Sequence, residues 1–266
     1  NGLAPYYVAD KVTAGRKVLW FHNGAYEKNA RDYARDQVYY GKFDRIVAVS
    51  PACAEILREK FPALTDRILV LPNLCDRERI LQSAEAAPPE SFRKDAVHIV
   101  TVARLAPEKG PELALEACRI LRAAGKNVCW HWVGGGAGME RFRQEIARLG
   151  LTGSFLPEGD LLNPYPCIRC ADIYVQPSHY EAYPFAVTEA KILCRPIEAP
   201  RVGGMVSQLQ DGVTGRIVPV SAEALASAVG ELIDCPDAAA RFAENLKKTS
   251  ADGMGDLDPY RRTVFA

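Results

Sequence analysis

The sequence has no excess of charge, no long apolar stretch and no glycosylation sequon. Its 33 basic and 33 acidic side chains cancel, which argues against a nucleic-acid partner because such a partner favours a strongly basic face. No apolar run approaches the ~20 residues that span a bilayer. The first ten residues lack the basic end and apolar block of a signal peptide. Together these absences predict a cytoplasmic protein.

The cysteines form no pattern typical of a zinc site. Six of the eight are scattered through apolar stretches, and Cys167 and Cys170 form one C-x-x-C pair. A zinc site of this kind needs a second pair or added histidines, and nothing nearby completes a set. We therefore expect buried or half-buried free thiols in a reducing compartment. Structural roles are predicted for His98, His131 and His179.

Fingerprints of other nucleotide-binding classes are also missing. Gly134–Gly136 lie between a predicted strand and a predicted helix, where a backbone without side chains could approach a ligand closely. No acidic residue ends a following strand at the spacing of the dinucleotide-binding motif, and no Gly-Lys-Ser/Thr of a Walker A loop follows. A dinucleotide-dependent dehydrogenase is therefore disfavoured. A tight strand–helix turn without a ligand stays an equal alternative for these glycines.

The sequence does contain a regular alternation of short apolar strands and amphipathic helices. This alternation predicts the α/β class with parallel sheets. It is interrupted once and lost at the end, which divides the chain into four parts. They are a partial Rossmann-like domain at residues 1–75, an exposed helix and interdomain linker at 76–95, a complete doubly wound Rossmann-like domain at 96–250, and a C-terminal tail at 251–266 that docks elsewhere or is disordered.

Two cations follow the strand predicted at Ala96–Ala103. Arg104 and Lys109 stand there at the mouth of a helix predicted at Glu108–Ala124. Ligands of doubly wound sheets bind at the carboxyl ends of the strands, so two cations beside a helix N-terminus suit a diphosphate. The alternative is a pair of solvated loop charges, because exposed Lys and Arg are common.

Two carboxylates frame a second predicted helix start, in the segment Pro177–Lys191. Glu181 lies in the loop after a strand, and Glu189 lies eight positions later, about one turn inside the helix. The Pro184–Ala186 backbone opens that helix, and its free N–H groups can hold phosphate or sugar oxygens. A carboxylate at position 189 can accept from a ribose diol. Two glutamates at this spacing without any function are the alternative.

The run from Ile99 to Val218 resembles the C-terminal domain of the family-4 retaining glycosyltransferases of the GT-B fold. The motifs that carry the resemblance, in family order, are Arg104 and Lys109, the glycine turn Gly134–Gly136, the Asp–strand–Pro-Ser element Asp172–Ser178, the Glu-x7-Glu pair Glu181 and Glu189, and the DGxTG element Asp211–Gly215. Earlier segments that resemble the family are WFHN (Trp20–Asn23), FDRIVAVSPA (Phe43–Ala52) and LPNLCD (Leu71–Asp76).

The resemblance implies transfer of a hexose from a UDP- or GDP-sugar, with retention of configuration, in polysaccharide or glycolipid synthesis. Arg104 and Lys109 would neutralise the diphosphate leaving group without a metal or other cofactor. His22 would approach the transferred sugar, and Glu181 would act on it. The donor-binding residues that the resemblance further implies are Gly135, Gly136, Leu162, Asn163, Tyr183, Pro184, Phe185, Ala186 and Glu189.

The resemblance also assigns the donor to residues 96–250 and the acceptor to residues 1–75. The acceptor would be a sugar, a lipid-linked sugar or another small molecule. Because the first strands of a full acceptor-side domain are expected to be missing, peripheral contact with the inner face of a membrane would come through that missing part. A nucleotide-sugar-binding module without turnover is the alternative function.

Three residues depart from the family pattern. Pro184 stands where the family often has Gly, and Ser207 stands where many members have Glu. Glu198 stands where the family usually has an apolar strand residue, and the sequence offers no reason for it.

Overall fold

Parallel strands organise the chain in a computed structural model, which describes residues 3–92, 95–249 and 257–265. The strands are short and apolar, as the alternation predicts. In chain order they are β1 (Val18–Phe21), β2 (Arg45–Ala48), β3 (Ile68–Val70), β4 (Val97–Val102), β5 (Val128–Val133), β6 (Phe155–Gly159), β7 (Ile173–Val175), β8 (Ile197–Pro200) and β9 (Arg216–Val218).

The strands form two parallel sheets. The first runs β1-β2-β3, and the second has six strands in the order β6-β5-β4-β7-β8-β9. The second order is that of a doubly wound fold, in which the chain builds one half outward from the middle and then crosses back to build the other. The order reverses between β4 and β7, so a ligand is expected outside the carboxyl ends of these two strands.

Helices cover both faces of the six-stranded sheet. In chain order the helices are α1 (Ala4–Lys11), α2 (Ala30–Tyr40), α3 (Pro51–Lys60), α4 (Arg77–Ser83), α5 (Pro111–Ala123), α6 (Met139–Arg148), α7 (Tyr165–Cys170), α8 (Phe185–Ile192), α9 (Gly203–Val206), α10 (Ala222–Asp234), α11 (Pro236–Thr249) and α12 (Asp258–Phe265). One face packs against α5, α6, α10 and α11, and the other against α4, α7, α8 and α9. The expected α/β class with a doubly wound sheet is confirmed.

Helix α4 corrects the expectation of an exposed helix in the linker. Ile80 and Ala84 lie one turn apart and are almost fully buried against α7 and α8. The helix therefore belongs to the packed face of the second sheet. Its burial is hard to predict because only two residues, Ile80 and Ala84, make the apolar contacts, and the residues around them (Ala, Glu and Pro) are typical of a linker.

Helix α5 begins later than the predicted start at Glu108. Gly110 has a φ of 64°, a left-handed conformation that no α-helix can contain, and Pro111 occupies the first helical position. Residues Pro107–Lys109 form a separate 3-10 turn. This break leaves Lys109 outside α5, on a short turn at the carboxyl end of the sheet.

The described part of the tail docks on the first unit. Residues 257–265 include α12, and the Tyr260 hydroxyl donates a hydrogen bond to the Pro72 carbonyl oxygen. The rest of the tail, residues 251–256 and Ala266, lies outside the described residues. No helix in the described ranges has the length and apolarity that crossing a membrane requires.

Two cysteines depart from the expectation of buried or half-buried thiols. Cys170 and Cys235 are exposed. Cys170 is the last residue of α7, and Cys235 lies directly after α10, so both thiols lie at helix ends. The remaining cysteines are buried or half-buried, as expected.

Glu198 on β8 is fully buried, and neither of its carboxylate oxygens has a hydrogen-bond partner among the described residues. The Nε atom of Arg216 lies 4.0 Å from one of these oxygens, and the Arg216 guanidinium also pairs with the exposed Glu231. Burial raises the pKa of Glu198 to about 8, against the partial compensation from Arg216. The carboxyl is therefore largely protonated at neutral pH.

This raised pKa makes stability depend on pH. Glu198 binds a proton more tightly in the folded chain than in the unfolded chain, so the free energy of unfolding should fall as pH rises from about 4.5 to about 8. The slope is at most about 1.4 kcal/mol per pH unit. Urea unfolding across this range should show a smaller fall for Glu198→Gln than for the unchanged chain.

The exposed Glu59 provides the control for this measurement. Glu59→Gln should keep the full pH dependence. Parallel profiles for Glu198→Gln and the unchanged chain would show that Glu198 does not titrate in this window.

Candidate active site between the two sheets

A cleft of about 680 Å³ lies where the two sheets face each other. Its walls come from the segment after β1, from the end of β4 and from the segment after β7. The predicted site residues that line it are His22, Arg104, Lys109, Glu181, Tyr183, Pro184, Phe185 and Ala186. The cleft therefore opens at the carboxyl ends of β4 and β7, where the strand order reverses.

The segment 176–184, here called the Glu181 loop, is held by a chain of buried hydrogen bonds. The Tyr174 hydroxyl donates to Gln176 Oε1, and Gln176 Nε2 donates to Ser178 Oγ at 3.0 Å. The Ser178 hydroxyl then donates to Glu181 Oε1 at 2.7 Å. Tyr174, Gln176 and Ser178 come from alternate positions, so they share one side of the extended chain, and Glu181 follows three positions later. The chain fixes the direction in which the Glu181 carboxylate points.

Lys109 completes the surroundings of that carboxylate. Its Nζ lies 2.7 Å from Glu181 Oε1, and the two side chains are only 20% and 8% exposed. An ammonium has three N–H donors. Lys109 can therefore hold Glu181 and still offer hydrogen bonds to an anion in the cleft.

Arg104 lines the same cleft but is much more exposed than Lys109. It stands just beyond the end of β4, and its side chain is 75% exposed. Its Nη2 pairs with Glu108 Oε1 at 3.0 Å, four residues along the chain. Exposed pairs of this kind contribute little, so the guanidinium is free to exchange Glu108 for a ligand.

The main chain of the Glu181 loop is packed against both units. The Glu181 carbonyl oxygen accepts from the Gly204 N–H at 3.0 Å, and the Tyr183 carbonyl oxygen accepts from Asn73 Nδ2 at 3.0 Å. A Cβ on Gly24 would lie 2.6 Å from the Glu181 carbonyl carbon, and a Cβ on Gly204 would lie 2.7 Å from the Glu181 carbonyl oxygen. Only glycine fits at either position without moving the loop.

The sequence does not show what these residues pack against. Asn73 and Gly24 each follow a strand end, within or next to the WFHN and LPNLCD segments, but nothing in their spacing shows that they touch the Glu181 loop. The contact joins residues more than 100 positions apart in the case of Asn73 and Tyr183.

His22 stands at the cleft wall directly after β1, with an exposed side chain. The surrounding wall desolvates the imidazole and lowers its pKa below the ordinary value. At neutral pH the ring is therefore mainly uncharged. An uncharged imidazole can both donate and accept a hydrogen bond.

Glu189 lies on α8, one turn beyond the cleft-lining residues Phe185 and Ala186. The Tyr165 hydroxyl donates to its Oε1 at 3.3 Å, and burial raises the pKa of Glu189 above the ordinary value. The residue is half-buried and does not itself line the cleft.

The glycine turn has a packing function that the sequence left open. A Cβ on Gly134 would lie 2.1 Å from the Ala103 carbonyl oxygen, and a Cβ on Gly136 would lie 2.5 Å from that of Leu105. The Gly135 N–H donates to Asp160 Oδ1 at 2.7 Å. The close backbone approach is therefore to the loop that carries Arg104. Neither Gly135 nor Gly136 lines the cleft.

Leu162 and Asn163 also lie outside the cleft lining. The Leu162 side chain projects fully into solvent. Asn163 Nδ2 donates to the Ser83 carbonyl oxygen at 2.7 Å, and its Oδ1 accepts from the Tyr165 N–H at 3.3 Å. Asn163 thus ties the end of α4 to the start of α7.

Residues 83–249 match the family described as glycosyl transferases group 1. The D-inositol 3-phosphate glycosyltransferase of Geodermatophilus obscurus is 33% identical over 205 residues, which cover 72% of this chain and 45% of the relative. The enzyme of the same name from Rhodococcus erythropolis is 28% identical, over 99% of this chain and 63% of its own length. The chain spans about half the length of such relatives.

Solved structures share the architecture at low identity. A glycosyltransferase from Rickettsia africae matches with a TM-score of 0.82 and 20% identity, over 98% of this chain and 74% of its own. Anabaena HepE in complex with UDP-glucose matches with a TM-score of 0.78 and 18% identity, over 93% and 71%. The two parallel sheets that face each other across a cleft are the GT-B fold, and with the family match they place this chain among the group 1 glycosyltransferases.

Proposed function

We propose that the cleft binds a nucleotide-diphosphate sugar and that the protein transfers the hexose to an acceptor with retention of configuration. The observation that carries the proposal is the Lys109–Glu181 pair, set into the cleft where the strand order reverses. A mostly buried lysine that has three N–H donors, one of which Glu181 accepts, suits a diphosphate, and a carboxylate beside it suits sugar hydroxyls.

The diphosphate would lie between Lys109 and Arg104. Lys109 is already held in place by Glu181, while Arg104 would turn from Glu108 toward the phosphates. As the glycosidic bond breaks, negative charge grows on the leaving diphosphate, and two fixed cations stabilise that charge. No metal is needed for this role.

The transferred sugar would lie toward His22 and Glu181, on the side of the cleft shared by the two units. Glu181 is held by Ser178 and Lys109, so its carboxylate would accept from sugar hydroxyls without reorganising. The mainly uncharged His22 would hydrogen-bond the sugar from the opposite wall.

The nucleoside would lie along the N-terminus of α8. The residues proposed to contact it are Tyr183, Pro184, Phe185 and Ala186, with Glu189 accepting from the ribose hydroxyls. Gly135 and Gly136 would contribute only through the shape of the neighbouring turn. The contacts of Leu162 and Asn163 give no support for a donor-binding role.

The relatives favour UDP among the nucleotides. HepE was solved with UDP and with UDP-glucose, and the pneumococcal O-GlcNAc transferase GtfA was solved with UDP and GlcNAc. The acceptor belongs to a small-molecule or lipid-linked class. A phosphorylated polyol is the first to test, because D-inositol 3-phosphate glycosyltransferases recur among the relatives.

A donor screen tests the proposed reaction directly. Thermal shift with a panel of UDP- and GDP-sugars should select one donor, and binding should persist in protein stripped of metal because Arg104 and Lys109 supply the positive charge. Proton NMR of the released sugar or product should show the donor's anomeric configuration. Donor binding that strictly requires Mg²⁺ or Mn²⁺ would overturn the proposed phosphate site, and binding without turnover would leave the role of a donor-binding module.

Removing either cation should weaken binding of the nucleoside diphosphate. Loss of a charged hydrogen bond costs about 1.5–3 kcal/mol, so Lys109→Ala and Arg104→Ala should each raise the Kd for UDP roughly 10- to 150-fold. Calorimetric titration gives the Kd, and the Tm of each variant reports whether it folds. Lys126→Ala is the matched control, because Lys126 pairs with Asp234 on the outside of the second unit. Unchanged affinity in both cleft variants would exclude the phosphate role.

Glu181 and Glu189 should differ in which ligand they affect. Glu189→Gln should weaken the binding of both UDP and the UDP-sugar by about 1–3 kcal/mol, the cost of losing one partner of a polar pair. Glu181→Gln should weaken binding of the sugar-bearing donor only. The affinity for UDP should stay the same or rise, because Lys109 is released from Glu181. The measurement is titration of both variants with UDP and the matched UDP-sugar.

Glu116 on α5 is the control for this pair, since it contacts Arg119 away from the cleft. Glu116→Gln should bind both ligands normally. Equal losses of UDP affinity for the variants at 181 and 189 would show that the two roles are wrongly assigned.

A further inference from the structure

A second cluster of chemically active side chains lies away from the cleft. His98 is the second residue of β4, and its partner in the sheet register is Cys129 on β5. His131 lies two residues beyond Cys129, so its side chain emerges on the same face of the sheet. His98 and Cys129 lie near the amino ends of their strands, whereas the cleft lies at the carboxyl ends, and none of the three residues lines the cleft.

The possible ligand atoms in this cluster converge. One atom from each of His98, Cys129 and His131 lies within 4.8 Å of the other two, and all three residues are buried. His98 Nδ1 and His131 Nε2 are 3.0 Å apart. Around a tetrahedral zinc ion, two imidazole nitrogens lie ~3.3 Å apart and a nitrogen and a thiolate sulfur ~3.6 Å apart. Small side-chain shifts would create that geometry.

A carboxylate orients one of the two rings. His131 Nδ1 lies 2.7 Å from Glu158 Oε1, and the Ser91 hydroxyl donates to the same oxygen at 2.6 Å. A carboxylate only accepts, so Nδ1 carries the proton and Nε2 keeps its lone pair toward His98. A carboxylate behind a histidine in this way is the usual outer support of a metal-bound imidazole.

Aromatic packing restricts the same ring further. Phe92 stacks on His131 with ring centroids 3.9 Å apart and planes 8° from parallel. The stacked ring and Glu158 together fix both the tilt and the rotation of the imidazole. Such restriction lowers the cost of ordering a ligand around an ion.

We propose that His98 Nδ1, Cys129 Sγ and His131 Nε2 bind a zinc-type divalent ion, with Glu158 supporting His131. Two imidazoles and a thiolate favour zinc over magnesium or calcium, which prefer oxygen ligands. Binding moves the proton on His98 from Nδ1 to Nε2 and releases the Cys129 thiol proton, which now points to the Gly153 carbonyl oxygen. A water molecule takes the fourth position of the tetrahedral ion.

Cobalt and zinc binding to the reduced, metal-stripped chain tests this site. The background for every measurement is Cys170→Ser/Cys235→Ser, which removes the two exposed thiols. After dialysis, this background should retain one zinc ion per chain. With Co²⁺ it should show a sulfur-to-cobalt charge-transfer band, and zinc should raise its Tm.

Variants separate the proposed ligands from other buried groups. Cys129→Ser should abolish the charge-transfer band, while Cys118→Ser should keep it, because Cys118 is equally buried on α5 at the opposite face of the sheet. Glu158→Gln keeps every ligand and should weaken zinc roughly 10- to 100-fold, the usual loss for an outer partner. Circular dichroism establishes that each variant is folded.

Two results would overturn the site. One is a dialysed background chain that holds no stoichiometric zinc. The other is a cobalt band that survives in Cys129→Ser or that disappears equally in Cys118→Ser. If Cys129→Ser does not fold, His98→Gln decides instead, since it keeps the thiolate but must weaken zinc at least tenfold if His98 is a ligand.

Discussion

The position of Glu181 is the constraint on which the cleft depends. Its carbonyl oxygen is bonded to Gly204 in the second unit, its main chain touches Gly24 in the first, and its carboxylate holds Lys109. One residue therefore sets both the packing of the loop between the units and the location of the mostly buried Lys109. A shift of this loop would move the carboxylate, the lysine and the start of α8 together, because Pro184 follows only three positions later.

The buried polar groups that follow β7 and those on β8 have opposite hydrogen-bonding environments. After β7, Gln176, Ser178 and Glu181 pass hydrogen bonds from one to the next, so their burial costs little and their geometry is rigid. On β8, Glu198 has no hydrogen-bond partner among the residues that the structure describes, and burial instead raises its pKa. A satisfied network of this kind is what a binding site requires, whereas Glu198 contributes a pH-dependent penalty to folding and lies outside the cleft lining.

Local patterns in the sequence predict the sheets and the side of the sheet where the cleft opens. This is because the residues that end a strand or begin a helix lie within a few positions of each other. Arg104, Lys109 and Glu181 could be assigned to one cleft on this basis. Contacts across the chain could not be predicted. The hydrogen bond between Lys109 and Glu181 joins residues 72 positions apart, and the hydrogen bond from the Gly135 N–H to Asp160 joins residues 25 positions apart. The convergence of His98 with His131 likewise depends on strand register, which neither segment reveals alone.

Arg104 and Lys109 have different physical roles despite equal charge. Lys109 is mostly buried and already neutralised by Glu181, so its position is fixed before any ligand arrives. Without that lysine, Glu181 would repel a diphosphate, and with it the carboxylate and the phosphates can share one cation. Arg104 is exposed and bound only to Glu108, so bringing it to a ligand breaks a weak pair and orders a long side chain. In the proposed donor site, the preorganised lysine would suit recognition of a diphosphate, and the exposed arginine would suit the charge that grows as the sugar leaves.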